Sequence, residues 1–319
     1  MTDTSSSWPR PTHPWVDEAR AGVRFAIVGN WLPQWDDLVR FVVRAEELGF
    51  DAYWANDHPN RSLDPWTMLA ALAMATTRIR LISLVACVQY RSAWTLARCA
   101  ADVDRISGGR LVLGLGTGDD TDEFELLGLP FPPPRERQRT LVETLEEVHR
   151  IWAGAQLEQP TFRPGPVQEP RVPILIRGGG ERVTLRQVAR HADVSNLGAH
   201  EWAGGAFDVT DVRRKYEVLA RHCAEIGRPY DSILRSHYTP LVVLADTPAA
   251  LERKRAAARI PDPHLRTAPL FATTTEAIAH FERLAEAGVQ YFLASVAGDD
   301  DETVHLLAEQ VVPAVTGRR

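Results

Sequence analysis

Lysine is almost missing from this chain. Among 319 residues only Lys215 and Lys254 occur, both in stretches that read as helix. A Schiff-base aldolase needs a lysine at a strand end, so neither suits that chemistry. Cysteine is scarce as well: Cys87, Cys99 and Cys223 are odd in number and have no CxxC spacing. That excludes a disulfide frame and a cysteine zinc site, and it points to reduced thiols in the cytoplasm. The ten histidines are scattered, so a metal hydrolase lacks its ligand cluster and no metal is expected. No apolar run is long enough to span a membrane. Met1 to Pro14 is rich in Ser, Thr and Pro and has no apolar core, which argues against a signal peptide. Basic charge is not in excess, with 36 Lys and Arg against 42 Asp and Glu, a net −6. A nucleic-acid footprint is therefore absent. The expected partner is a small organic molecule, with neither nucleic acid nor membrane.

What is present centres on Leu111-Val112-Leu113-Gly114-Leu115-Gly116-Thr117-Gly118-Asp119. The apolar run is too short for a helix and reads as a buried parallel strand. Its glycines permit a sharp turn and close backbone approach to a ligand. Similar apolar runs recur at Val23–Val28, Ala52–Trp54, Arg80–Ala86, Val172–Ile176, Ala192–Asn196, Leu234–Leu244 and Tyr291–Val296. Helical patterns separate them. One is Asp36 to Leu48, closed by Gly49; another starts at Pro65, capped by Asp64. Eight strand–helix repeats predict an α/β fold, a closed (β/α)8 TIM barrel over residues 23–319, preceded by an irregular arm over 1–22. Trp8 and Trp15 would pin that arm. The proline-rich stretch from Gln156 to Arg171 reads as a loop excursion over one end of the barrel. A doubly wound sheet is the other architecture considered. It would need a dinucleotide turn at Gly114 to Gly118, which lacks the third glycine of that motif.

Three strand ends carry candidate chemistry. Asp57-His58 follows the second strand, where a histidine can donate or accept a proton; the plain alternative is a loop histidine without a role. Asp119, Asp122 and Glu123 follow the fourth. An acid there that is partly desolvated would serve as a proton donor. Asp122 and Glu123 equally suit the ordinary role of acids at a helix start. Gly178-Gly179-Gly180 follows the fifth strand and is read as opening a helix. It would offer backbone N–H groups to a phosphate, with Arg177 and Arg182 beside it. A simple flexible turn is the alternative.

Five stretches together resemble the luciferase-like monooxygenase superfamily, the bacterial-luciferase fold of flavin- and deazaflavin-dependent oxidoreductases. They are Ala45–Trp54, Asn56-Asp57-His58, Ile106–Gly118, Glu123–Leu129 and Arg177–Gly180. Asp57-His58 with Gly116-Thr117-Gly118-Asp119 is similar to the branch that uses coenzyme F420. The resemblance implies hydride transfer between the deazaflavin and an organic substrate. Asp57 would hold the ring system, and His58 and Asp119 would handle protons. Asp119 replaces the glutamate of a glucose-6-phosphate-oxidising member. The family also implies a bulge with a non-proline cis peptide in the third strand, near Ser83-Leu84 with Ala86 close by, backing the ring. Many relatives carry His-Pro where this chain has Ser92-Ala93.

A flat tricyclic ring needs an apolar wall, and a phosphate-bearing tail needs a glycine-rich helix start. Ser83, Leu84 and Ala86 are expected to form the wall, with Asp122 and Gly178–Gly180 as further cofactor contacts. Trp31, Trp54, Tyr90, Trp202 and Tyr238 are candidate lining of the substrate pocket. The rival within the fold is an FMN-dependent monooxygenase. A rival of another class is a flavin-binding barrel without turnover. Relatives often form dimers, so a homodimer is expected.

Overall fold

Short apolar runs, each buried on both faces, fold into parallel strands because only a closed ring surrounded by helices covers both sides. The computed structural model describes residues 12–32, 34–154, 165–201, 204–260 and 263–317. Its strands are β1 (Arg24–Asn30), β2 (Ala52–Ala55), β3 (Arg80–Ser83), β4 (Ala86–Cys87), β5 (Leu111–Gly116), β6 (Ile174–Arg177), β7 (Val194–Gly198), β8 (Leu234–Thr239), β9 (Val242–Ala245), β10 (Leu270–Thr273) and β11 (Tyr291–Ala297). The main sheet runs β3-β2-β1-β11-β8-β7-β6-β5, all parallel, and β5 pairs back onto β3. That last pairing closes the predicted barrel. β4 prolongs β3 beyond a break and pairs with β5.

The helices form the outer layer for the reasons their sequences give. Trp35–Glu47 buries Leu38, Phe41, Val42 and Ala45, a spacing that keeps one face on the sheet. Asp64 caps Pro65–Ala75 by accepting from the N–H groups of Trp66 and Thr67. Ser92 caps Ala93–Ser107 through the Thr95 N–H, and Gly108 ends that helix in the left-handed conformation, φ 67°. Ser92 thus has a structural task.

The non-proline cis peptide that the resemblance implies near Ser83-Leu84 joins Leu84 to Val85 and breaks the third strand there. Three expectations need correction. Leu234–Leu244 is two strands, because Pro240 has no N–H to extend the ladder. Only β8 enters the barrel; β9 pairs with β10, a strand not read from the sequence, in a separate two-stranded sheet. The arm is partly regular, with Pro14–Ala19 helical and Trp15 and Val16 buried. Trp15 packs edge-on to Tyr291 at 5.9 Å and lies under Arg80 at 5.0 Å. Trp8 and most of the Gln156–Arg171 excursion lie outside the described residues. Finally, the helix after β6 begins at Thr184, past the Gly178–Gly180 run that was expected to open it. Among the described residues no helix is long and apolar enough to cross a membrane.

Candidate active site

The carboxyl ends of the barrel strands open into one cavity of about 600 Å³. β1 contributes Val28 and Asn30, with Trp31 just beyond it. β2 contributes Trp54, and its loop Asp57, His58 and Arg61. Val85 and Cys87 come from the broken third strand, Gly116 to Glu123 from β5 and its loop. Arg177, Tyr238 and Ser295 complete the ring from β6, β8 and β11. His58 and Asp119, 61 residues apart in sequence, therefore face one space. Trp31, Trp54, Tyr90 and Tyr238 line it as well, whereas Trp202 lies outside the described residues.

His58 is held by its loop and by an acid. Ser62 Oγ accepts from the His58 N–H at 3.1 Å and donates to the His58 carbonyl at 3.0 Å, tightening the turn after β2. His58 Nδ1 lies 2.8 Å from Oε1 of Glu123. Glu123 sits in the first turn of the helix Thr121–Leu126, which Asp120 caps. That helix turns Glu123 and Phe124 inward, leaving each 1% exposed. Glu123 Oε2 accepts from the Tyr90 hydroxyl at 2.8 Å, and Arg61 donates to Oε1 at 3.3 Å and to Asp120 at 3.0 Å. Burial pushes the Glu123 carboxyl up, but hydrogen bonds from His58, Tyr90 and Arg61 and the charge of His58 outweigh it and hold the group below the usual glutamate range. Burial, then the bond to Glu123, drives the Tyr90 phenol well above its ordinary value.

Asp57 lines the cavity but spends Oδ2 on the wall. It accepts from the Cys87 N–H at 3.0 Å and from Arg91 at 2.6 Å, and Arg91 also reaches Asp64 at 2.6 Å. This fixes β4 just beyond the strand break. The wall itself is Val85 with Cys87, rather than the expected Ser83, Leu84 and Ala86, which are buried behind it. Ser83 instead bridges to β5, accepting from Gly114 N–H and donating to Gly114 C=O, each at 3.0 Å. A Cβ on Gly116 would stand 2.5 Å from Val85 Cγ2, so glycine there lets Val85 occupy the cavity wall. Burial pushes the Cys87 thiol up to about 12, so it stays protonated.

Asp119 and Asp122 line the mouth and are exposed, because the loop after β5 carries them outward. The buried acid beside His58 is Glu123. Gly178, Gly179 and Gly180 adjoin the cavity without lining it, and they precede the helix by several residues. Gly179 packs on Gly204, where a Cβ would come within 2.9 Å, and its carbonyl accepts from Lys215 at 2.9 Å. The lining residue of that segment is Arg177, whose guanidinium lies 5.1 Å over the Tyr238 ring. Glu123 and Arg177 are thus the groups that the sequence reading underweighted.

A parallel (β/α)8 barrel with its polar and aromatic side chains gathered at the carboxyl mouth defines an enzyme scaffold. The chain belongs to the luciferase-like monooxygenase family, whose model matches residues 10–316. It is 26% identical to an F420-dependent glucose-6-phosphate dehydrogenase of Amycolatopsis mediterranei, over 87% of this chain and 93% of that protein. Other curated relatives reach 36% identity over 152 residues; there the chain spans about half of their length, 52%. Solved structures share the fold, two of them as follows. An F420-dependent secondary alcohol dehydrogenase with an F420–acetone adduct gives a TM-score of 0.73 at 18% identity, covering 92% of this chain and 99% of that one. The FMN-bound oxygenating constituent of 3,6-diketocamphane monooxygenase from Pseudomonas putida gives 0.70 at 16%, covering 92% and 98%.

Proposed function

We propose that this protein is an F420-dependent oxidoreductase that transfers a hydride between the deazaflavin and an organic substrate. The observation that carries the reading is one cavity combining an apolar wall, formed by Val85, Trp54 and Tyr238, with a histidine backed by a buried carboxylate. The residues present fit a tricyclic ring. Val85 stands free in the wall because Gly116 has no Cβ, and Arg177 pairs with no carboxylate among the described residues, leaving a positive charge for an anionic tail. When bound, the deazaflavin supplies the carbon that takes or gives the hydride. The protein orients the substrate among Trp31, Tyr90 and Tyr238, and it moves the accompanying proton. His58 handles that proton in the cavity, with Asp119 at its mouth. Asp57 supports the ring side through the wall. A homodimer in the cytoplasm is the setting we propose.

Titration of the purified protein with F420 and with FMN separates this reading from its rival. A deazaflavin has carbon in place of a ring nitrogen and reacts poorly with oxygen. Saturable F420 binding without oxygen consumption is expected. Tight FMN binding with oxygen consumption and no F420 binding would make the protein a monooxygenase.

A further inference from the structure

Glu123, which backs His58, has no role of its own among those assigned above. Glu123 is almost wholly buried, yet none of its contacts holds a ligand. It stands 2.8 Å from His58 Nδ1 and 2.8 Å from the Tyr90 hydroxyl. An ionised carboxylate only accepts hydrogen bonds, and a guanidinium only donates them. The Glu123–His58 contact therefore requires the proton on Nδ1, and the Arg61 nitrogen 3.2 Å away cannot donate to that same atom. Tyr90 donates to the other carboxylate oxygen, which helps to hold Glu123 in the orientation that grips Nδ1. Nε2 has no hydrogen-bond partner among the described residues, and His58, with its side chain 31% exposed, lines the cavity.

We infer that Glu123 is a positioning residue that fixes His58 as the Nδ1–H tautomer, so that bare Nε2 meets the substrate as a proton acceptor. The inference rests on His58 handling the proton in the oxidoreductase proposed above. In the step it serves, the O–H bond of a substrate hydroxyl breaks and an N–H bond forms at Nε2. The bonding pair stays on oxygen, and the imidazolium keeps its second proton against Glu123. A hydroxylated substrate, read in the oxidation direction, is the class this geometry suits. The mechanism is the general one in which a buried acid sets the tautomer of a catalytic histidine.

The test needs neither cofactor nor substrate. Nitrogen-15 NMR of the cofactor-free protein at about pH 8.5, above the ordinary histidine range, reads the tautomer of each imidazole. A His58→Asn spectrum identifies the His58 signals. Wild type is expected to show Nδ1–H. Glu123→Gln, whose amide can donate to Nδ1, is expected to move His58 to the Nε2–H form. Glu123→Asp and Tyr90→Phe, which both keep a carboxylate, are expected to retain Nδ1–H. Thermal melts show that each variant is folded, and a purely structural role for Glu123 would leave the tautomer alone. Nε2–H in the wild type, or an unchanged Nδ1–H in folded Glu123→Gln, overturns the inference. The expected tautomers in a protein that binds no F420 would uphold the positioning role and defeat the F420 reading instead. Once an alcohol that the wild type turns over is in hand, Glu123→Gln should lower kcat about 10²-fold or more with KM little changed.

Discussion

Removing the Asp57 carboxylate should loosen the cavity wall, and the size of the effect follows from two contacts. Oδ2 accepts from the Cys87 N–H at 3.0 Å and from Arg91 at 2.6 Å. The Asp57 side chain is 3% exposed and that of Arg91 20%. In Asp57→Ala the buried Cys87 N–H loses its acceptor, which costs about 1–3 kcal/mol. Breaking a fully buried ion pair costs about 3–5 kcal/mol. Arg91 falls short of that because it reaches water and keeps Asp64. Together the loss should be about 3–4 kcal/mol, read as a lower urea midpoint at unchanged m. Asp57→Asn keeps an acceptor for Cys87 and exchanges a charged bond for a neutral one, so about 1–2 kcal/mol is expected. Because Cys87 adjoins Val85 in the wall, F420 affinity should fall about tenfold or more in Asp57→Ala, or 1.4 kcal/mol. A stability loss under about 1 kcal/mol with unchanged F420 affinity would refute the claim that Asp57 fixes the wall.

Further outcomes follow from the same geometry. His58→Ala should cut turnover about 10²- to 10⁴-fold. Asp119→Ala should weaken F420 binding much less than Asp57→Ala does; equal losses in a binding titration would contradict the separate roles. Gly116→Ala would press a Cβ against Val85, which lies 2.5 Å from that position, and should impair F420 binding in a protein that still folds. Binding at wild-type affinity would show that Val85 is not the wall. Glu123 has a folded pKa below its ordinary value. Its stabilisation is therefore fully present above the ordinary glutamate range and is lost as the pH falls through the folded value. Acid unfolding curves of Glu123→Gln should be flatter over that window, and equal slopes would remove Glu123 from the linkage.

At the amino end of the barrel, Arg110 donates to the carbonyls of Ala73, Thr76, Ile79 and Ser107 and to the Thr76 hydroxyl. Arg110→Met should cost about 3–5 kcal/mol by stranding several of these buried acceptors, and a urea melt within about 0.5 kcal/mol of wild type would contradict that.

The strand–helix rhythm was legible because each barrel strand is an apolar run and each helix carries its own cap. Asp64-Pro65 and Ser107-Gly108 mark helix ends by local chemistry alone. The break in the third strand left a weaker trace, since Leu84-Val85-Ala86 is as apolar as any buried strand; only the resemblance suggested it, near Ser83-Leu84. Pro240 was a readable stop that the long apolar run around it obscured. Glu123 was hidden for a different reason. Acids at a helix start are common, and nothing local tells a solvated one from one that the fold turns onto a histidine from another loop. Asp119 drew attention by its place after Gly-Thr-Gly, yet the turn at Gly118, φ 70°, leads the chain outward there. The Gly178–Gly180 run resembled a phosphate turn, but the helix it was meant to open starts only at Thr184.

A crystal of the protein soaked with oxidised F420 should show the ring inside the cavity against Val85, the His58 imidazole facing it with Nε2, and the anionic tail reaching Arg177. F420 absent from the cavity under saturating conditions, or its ring lying away from both Val85 and His58, would rule out this cavity as the deazaflavin site.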